Sequence, residues 1–170
     1  MSEAKQIGKT FAFVFWGLFL FLGYQFFDGY LSKQRNPNQN PSSFKRGTQS
    51  VLVLKRNRMG HYVATGQING YPVTFLLDTG ATDVAVPKSV ADAIGLRYGA
   101  PISVSTANGS ATAYRTEIHA LSIGELKFNQ VRASILPGMK GDEILLGMSA
   151  LKQVEFSQRG DELTLTHFNQ

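Results

Sequence analysis

One stretch of this 170-residue chain places a carboxylate where a carboxylate is costly. Phe75-Leu76-Leu77 is an apolar run, and Asp78-Thr79-Gly80-Ala81-Thr82 follows it directly. An acid at the end of an interior strand is penalised by several kcal/mol unless it is paired or hydrogen-bonded. Gly80, two positions on, permits a tight turn and close backbone approach. The pattern is that of a strand delivering Asp78 to a loop where another group meets it. The tripeptide alone carries little weight, because Asp-Thr-Gly arises by chance in roughly one in thirty chains of this length. Its surroundings carry more: an apolar strand before it, Ala81-Thr82 after it, and a second apolar run, Ile144-Leu145-Leu146-Gly147, further along the chain.

Other chemistries are thinly supplied. The chain has no cysteine, hence no disulfide framework, thiolate nucleophile or Cys-based metal site. His61, His119 and His167 are scattered without ligand spacing. Neither a metal nor another cofactor is expected. Charge divides the chain unevenly: residues 1–58 carry nine Lys/Arg against Glu3 and Asp28, whereas residues 59–170 carry eight against ten acids. The basic excess therefore flanks the N-terminal apolar segment and leaves the remainder without the basic face that nucleic-acid binding requires.

The elements that must position Asp78 read as follows. After a short tail, residues 1–10, comes an uncharged apolar run from Phe11 to Phe27. As a helix it spans roughly 26 Å, at the lower end of transmembrane length. Residues 11–30 are predicted to cross a membrane, with Tyr24 and Tyr30 as interfacial aromatics and Lys5 and Lys9 ahead of the run. A cleavable signal peptide fits less well, since no small-x-small pair follows the apolar run. Residues 31–50, rich in Asn, Gln, Ser, Pro and positive charge, read as a flexible linker. Its composition around residues 36–50 also suggests a site of self-cleavage.

From Val51 to Gln170 the apolar residues fall in short runs between turn signals, which predicts an all-β domain. Strands are expected at 51–55, 61–68, 72–77 and 83–86, with a hairpin turn at Asn69-Gly70. A helical turn at 88–94 closes on Gly95, and a second Asn-Gly pair, Asn108-Gly109, predicts another hairpin. Residues 122–128 and 131–136 read as two further strands, ahead of the 143–147 run. A helix at 148–154 and a last hairpin across Arg159-Gly160-Asp161 complete the reading.

Leu76-Leu77-Asp78-Thr79-Gly80-Ala81-Thr82, the Asn108-Gly109 hairpin and Ile144-Leu145-Leu146-Gly147-Met148-Ser149-Ala150-Leu151 resemble the retropepsin-like aspartic peptidases, in particular their bacterial single-pass membrane-anchored branch. The resemblance runs from about Gly60 to the C-terminus. It implies an acid-protease barrel with one lobe per chain and one short helix near the C-terminus, dimerised so that two Asp-Thr-Gly loops meet. It also implies an aspartic endopeptidase acting on peptide or protein substrates, in which water is activated between two Asp78 carboxylates. By the same resemblance Thr79 bonds across the dimer axis, and Gly80 lets backbone approach the dyad. Leu145, Leu146 and Gly147 pack behind the loop. Ala81 and Thr82, with a flap at Ala107, Asn108 and Gly109, contact the peptide, and the peptidase domain lies on the periplasmic side of the inner membrane. A catalytically silent peptide-binding module of the same fold is the alternative.

Two departures stand out. Viral retropepsins carry an acid after Asp-Thr-Gly-Ala and an Arg after the late Gly, and these form an ion pair. Thr82 and Met148 occupy those positions here, so both partners are missing together and no unpaired charge is left, and the strength of the dimer stays open.

Overall fold

The computed structural model describes residues 2–106 and 109–168. One helix, α1 (Ser2–Arg35), precedes eleven strands. Its aromatic and aliphatic side chains from Phe11 to Leu31 stand exposed, and Phe11–Arg35 is long and apolar enough to cross a membrane. A core helix would bury such a surface.

Four strands make a small antiparallel sheet in the order β1 (Ser42–Arg46), β2 (Gln49–Lys55), β11 (Glu162–Phe168), β10 (Val154–Arg159). The other seven run β3 (Val63–Ile68), β4 (Tyr71–Leu77), β9 (Glu143–Leu146), β5 (Val84–Pro87), β8 (Leu126–Leu136), β7 (Gly109–Ile123), β6 (Pro101–Thr106). β3 also pairs with β7, Ile68 opposite Leu121, so six of these strands close on themselves. Only a long strand can serve two neighbours along one edge. The 15 residues of β7 bond β6 through their first half and β3 near their end, which leaves the β6–β7 hairpin as an extension of the barrel.

The interior is apolar and continuous. Phe75, Ile118, Ile135, Ile144 and Leu146 from the barrel share one buried cluster with Leu52, Leu54 and Leu165 from the small sheet. Each such side chain contributes about 1.5–3 kcal/mol when fully buried. The alternating pattern of β8, with Leu126, Phe128, Val131, Ala133 and Ile135 buried, seats one face on that core. The short helices α2 (Lys88–Ala93) and α3 (Met148–Leu151) follow β5 and β9. The all-β architecture, the Asn69-Gly70 turn with both residues at positive φ, and the final hairpin are as expected from the sequence.

Two expectations are corrected. Residues 122–128 are not one strand: the chain turns at Gly124 (φ 56°), and β8 runs unbroken in register past Gln130 (φ 53°). A lone turn glycine between Ile123 and Glu125 lacks the usual Asn or Asp signal. Residues 31–50 are not a flexible tether preceding a domain that starts at Val51. α1 continues to Arg35, β1 pairs with β2, and Asn36 and Asn38 are buried. The Asn38 side chain donates to the carbonyls of Lys55 (2.9 Å) and Val63 (2.7 Å) and accepts from the Lys55 N–H (2.7 Å). β2 and β3 part there into different sheets, and the amide fills the backbone bonds each strand lacks. Polar composition looked like solvation because those partners are remote in sequence. The burial also removes the basis for self-cleavage at Asn36–Asn38.

Candidate active site

Asp78 is the first residue beyond β4. β4 lies parallel to β9 with Leu77 opposite Leu146, and the Asp78 N–H donates to the Leu146 carbonyl at 3.2 Å. The Leu77 N–H donates to the Tyr62 carbonyl at 3.0 Å. The loop then folds on itself, with the Ala81 N–H bonded to the Asp78 carbonyl (3.3 Å) and the Gly80 N–H to Asp78 Oδ1 (2.9 Å). Asp78 and Ala81 are half-buried, and Thr79, Gly80 and Thr82 are exposed. Among the described residues, the Gly80 N–H supplies the only hydrogen bond to the Asp78 carboxylate.

The start of α3 locks this loop in place. The first N–H groups of a helix lack partners within it. Here Met148 and Ser149 donate theirs to the carbonyls of Ala81 (2.8 Å) and Thr82 (3.0 Å). Gly147 makes the approach possible: a Cβ there would stand 2.2 Å from the Asp83 carbonyl oxygen and 2.7 Å from that of Ala81. Buried Ser149 ties in two more strands, its hydroxyl accepting from the Val84 N–H (3.1 Å) and donating to the Arg132 carbonyl (2.7 Å). The late glycine run thus does pack behind the Asp78 loop. Leu145, opposite both Leu76 and Ala85, lies between β4 and β5.

Asp83, one residue beyond Thr82, pairs instead with an arginine of β8. Arg132 Nε donates to Asp83 Oδ1 at 2.7 Å, with Asp83 21% and Arg132 64% exposed. Sequence reasoning missed Asp83, Arg132 and Ser149. Asp83 was visible beside the motif, but its partner is 49 positions away on β8 and no local pattern announces it.

The β6–β7 hairpin closes with Thr106 opposite Gly109, and Thr106 Oγ1 donates to the Gly109 carbonyl at 2.7 Å. Gly109 is exposed. Ala107 and Asn108, the expected flap tip, lie outside the described residues. Two surface clefts, of about 450 and 280 Å³, are lined by Asn36, Thr74 and Glu143 and by Gly66, Pro72 and Ser122 respectively, and neither includes Asp78.

An apolar strand ending in Asp-Thr-Gly, backed by a Leu-Leu-Gly strand on a closed barrel, is the arrangement of a retropepsin-like aspartic protease. Residues 64–153 match the family described as "gag-polyprotein putative aspartyl protease", and the chain belongs to that family. It is similar to the crystal structure of a retropepsin-like aspartic protease from Rickettsia conorii, with a TM-score of 0.60 and 28% identity, covering 75% of this chain and 96% of that one. An uncharacterized protein of the cobV 5′ region of Sinorhizobium sp. is 36% identical over 121 residues, 69% of this chain and 52% of the relative. An uncharacterized protein of Rickettsia prowazekii (strain Madrid E) is 27% identical over 132 residues, 74% of this chain and 55% of the relative. The chain therefore spans about half the length of the curated relatives it matches.

Proposed function

We propose that this chain is an aspartic endopeptidase acting as a homodimer, each copy contributing Asp78 to one shared site. The observation that carries this reading is the contrast at Asp78 itself: a loop fastened by backbone bonds to Leu146, Met148 and Ser149, around a carboxylate that uses only one bond of its own loop. A half-buried carboxylate with one such bond keeps acceptor capacity for a further partner. One chain supplies one Asp-Thr-Gly, so the second carboxylate and the second wall come from another copy.

Two carboxylates about 3 Å apart cannot both ionise readily, so the pair holds one proton at working pH. The ionised member takes a proton from water as its oxygen attacks the scissile carbonyl. The protonated member donates to that carbonyl oxygen, and collapse of the tetrahedral intermediate then delivers a proton to the leaving amine. Exposed Thr79 holds the two loops in register across the axis, and Gly80 keeps the approach to the dyad open. Ala81, Thr82 and the β6–β7 hairpin, which closes at Thr106 and Gly109 and includes the expected flap residues Ala107 and Asn108, take an extended peptide by strand addition. α1 anchors the chain as a single pass in the bacterial inner membrane, with the peptidase domain on the periplasmic side. Confinement to that plane raises the effective concentration of the second copy.

The test is cleavage of an unfolded protein by the full chain in detergent, from acidic to neutral pH, with Asp78→Asn in parallel. Activity should fall about a thousandfold in the variant, with its unfolding temperature unchanged. A wild-type chain that is dimeric yet inactive throughout would replace this reading with the silent peptide-binding module.

A further inference from the structure

We propose that the β2–β3 loop, Arg56-Asn57-Arg58-Met59-Gly60-His61, is a membrane-contact element that places Met59 and neighbouring cations in an anionic lipid headgroup layer beside α1. This rests on the reading of α1 as a membrane span.

The loop has a fixed shape that serves no packing purpose of its own. Asn57, 9% exposed, accepts at Oδ1 from the N–H groups of Met59 and His61, both at 2.9 Å. The Asn57 N–H donates to the His61 carbonyl (2.8 Å), and the Gly60 N–H to the Asn57 carbonyl (3.0 Å). This framework holds Met59 out at 76% exposure, the highest of the exposed large apolar side chains outside α1. A flexible loop could fold such a side chain inward; this one presents it.

The same asparagine fixes where the loop sits. Asn57 Nδ2 donates to the carbonyl of Arg35, the last residue of α1, at 2.9 Å, and Arg58 Nη1 reaches back to Gln34 Oε1 at 3.4 Å. The loop thus lies against the final turn of the helix. Tyr30 and Leu31, both more than half exposed, carry the apolar surface of α1 to Leu31. Four more residues to Arg35 add about 6 Å, within the roughly 5–7 Å depth of one headgroup layer. The Arg35 carbonyl and the loop bonded to it therefore fall inside that layer.

The charges there suit an anionic surface. Lys33 and Arg35 end α1, and Arg56 and Arg58 flank Asn57. Arg56 is already bonded to Asp161, which leaves Lys33, Arg35 and Arg58 to meet lipid phosphate. An apolar side chain between cations is the composition of an interfacial contact. Tyr62 follows the loop directly, and its carbonyl holds the N–H of Leu77, the residue before Asp78. The contact therefore sets the height of the Asp78 loop above the bilayer and favours substrates presented close to the membrane surface.

Because the chain has no cysteine, Met59→Cys gives a single attachment point for a fluorophore on the full-length protein. The labelled chain is placed in nanodiscs of phosphatidylcholine alone, or with about one third phosphatidylglycerol, and quenching by a headgroup nitroxide is read. The proposal expects strong quenching in the anionic discs, weaker quenching in neutral ones, and a shift of about twentyfold toward the aqueous state on Arg58→Glu. Equal, weak quenching in both discs overturns the contact while leaving the anchor intact. A chain that carbonate extracts from vesicles overturns the anchor and the contact together.

Discussion

Two irregular polar segments of this molecule are fixed by opposite means. The Asp78 loop is held through its backbone: Asp78, Ala81 and Thr82 exchange main-chain bonds with Leu146, Met148 and Ser149, and the side chains of Asp78 and Thr79 take almost no part. The strap at 36–40 is held chiefly through side chains, with one backbone bond from the Thr65 N–H to the Asn38 carbonyl at 3.1 Å. The Asn38 amide makes three bonds to Lys55 and Val63, the Asn36 amide donates to Thr65 Oγ1 at 3.0 Å, and Asn36 Oδ1 accepts the Asn38 N–H at 2.9 Å. On the function proposed above, a segment whose side chains must meet a partner or substrate is immobilised by its main chain. A segment whose only task is attachment spends its side chains on attachment.

That contrast can be broken from either side. Gly147→Ala should do the most damage, since the new Cβ would press on two backbone carbonyls that cannot move without unseating the loop. We expect a loss of about 4 kcal/mol, seen in chemical denaturation, and loss of activity in any folded fraction. Asn38→Ala strikes the strap, leaving the Lys55 N–H and the Val63 carbonyl without their partner. It should cost about 3 kcal/mol and open residues 36–40 to added protease, which the wild-type chain is expected to resist. Arg132→Gln should be mild. Its pair with Asp83 is mostly exposed on the arginine side, so under about 1 kcal/mol is at stake, and the cleavage rate should stay close to that of the wild type.

The same division explains what could be read from sequence. Asp78-Thr79-Gly80 was legible because its chemistry is local: an acid, a turn and an apolar strand within a few residues, with Gly147 as a second marker. The barrel followed only from the family resemblance, whereas the all-β character was legible through short apolar runs and turns such as Asn69-Gly70. Asn36 and Asn38 were not, because a buried asparagine and a solvated one have identical neighbours in the chain. Only the parting of β2 and β3, set by pairings with β11 and β4, creates the carbonyls that Asn38 satisfies. Arg132 and Asp83 escaped for the same reason. In each case the missed residue acts across a distance that periodicity does not span.

The central claim, that two copies of Asp78 share one site, is tested most directly by subunit mixing. Wild-type and Asp78→Asn chains are co-expressed in equal amounts, purified together at constant total concentration, and assayed for cleavage. If each site needs a carboxylate from both copies, only dimers with two wild-type chains are active, and the rate falls to roughly one quarter of the all-wild-type value. A rate of about one half, linear in the wild-type fraction, would mean that each chain carries its own complete site and would contradict the shared dyad.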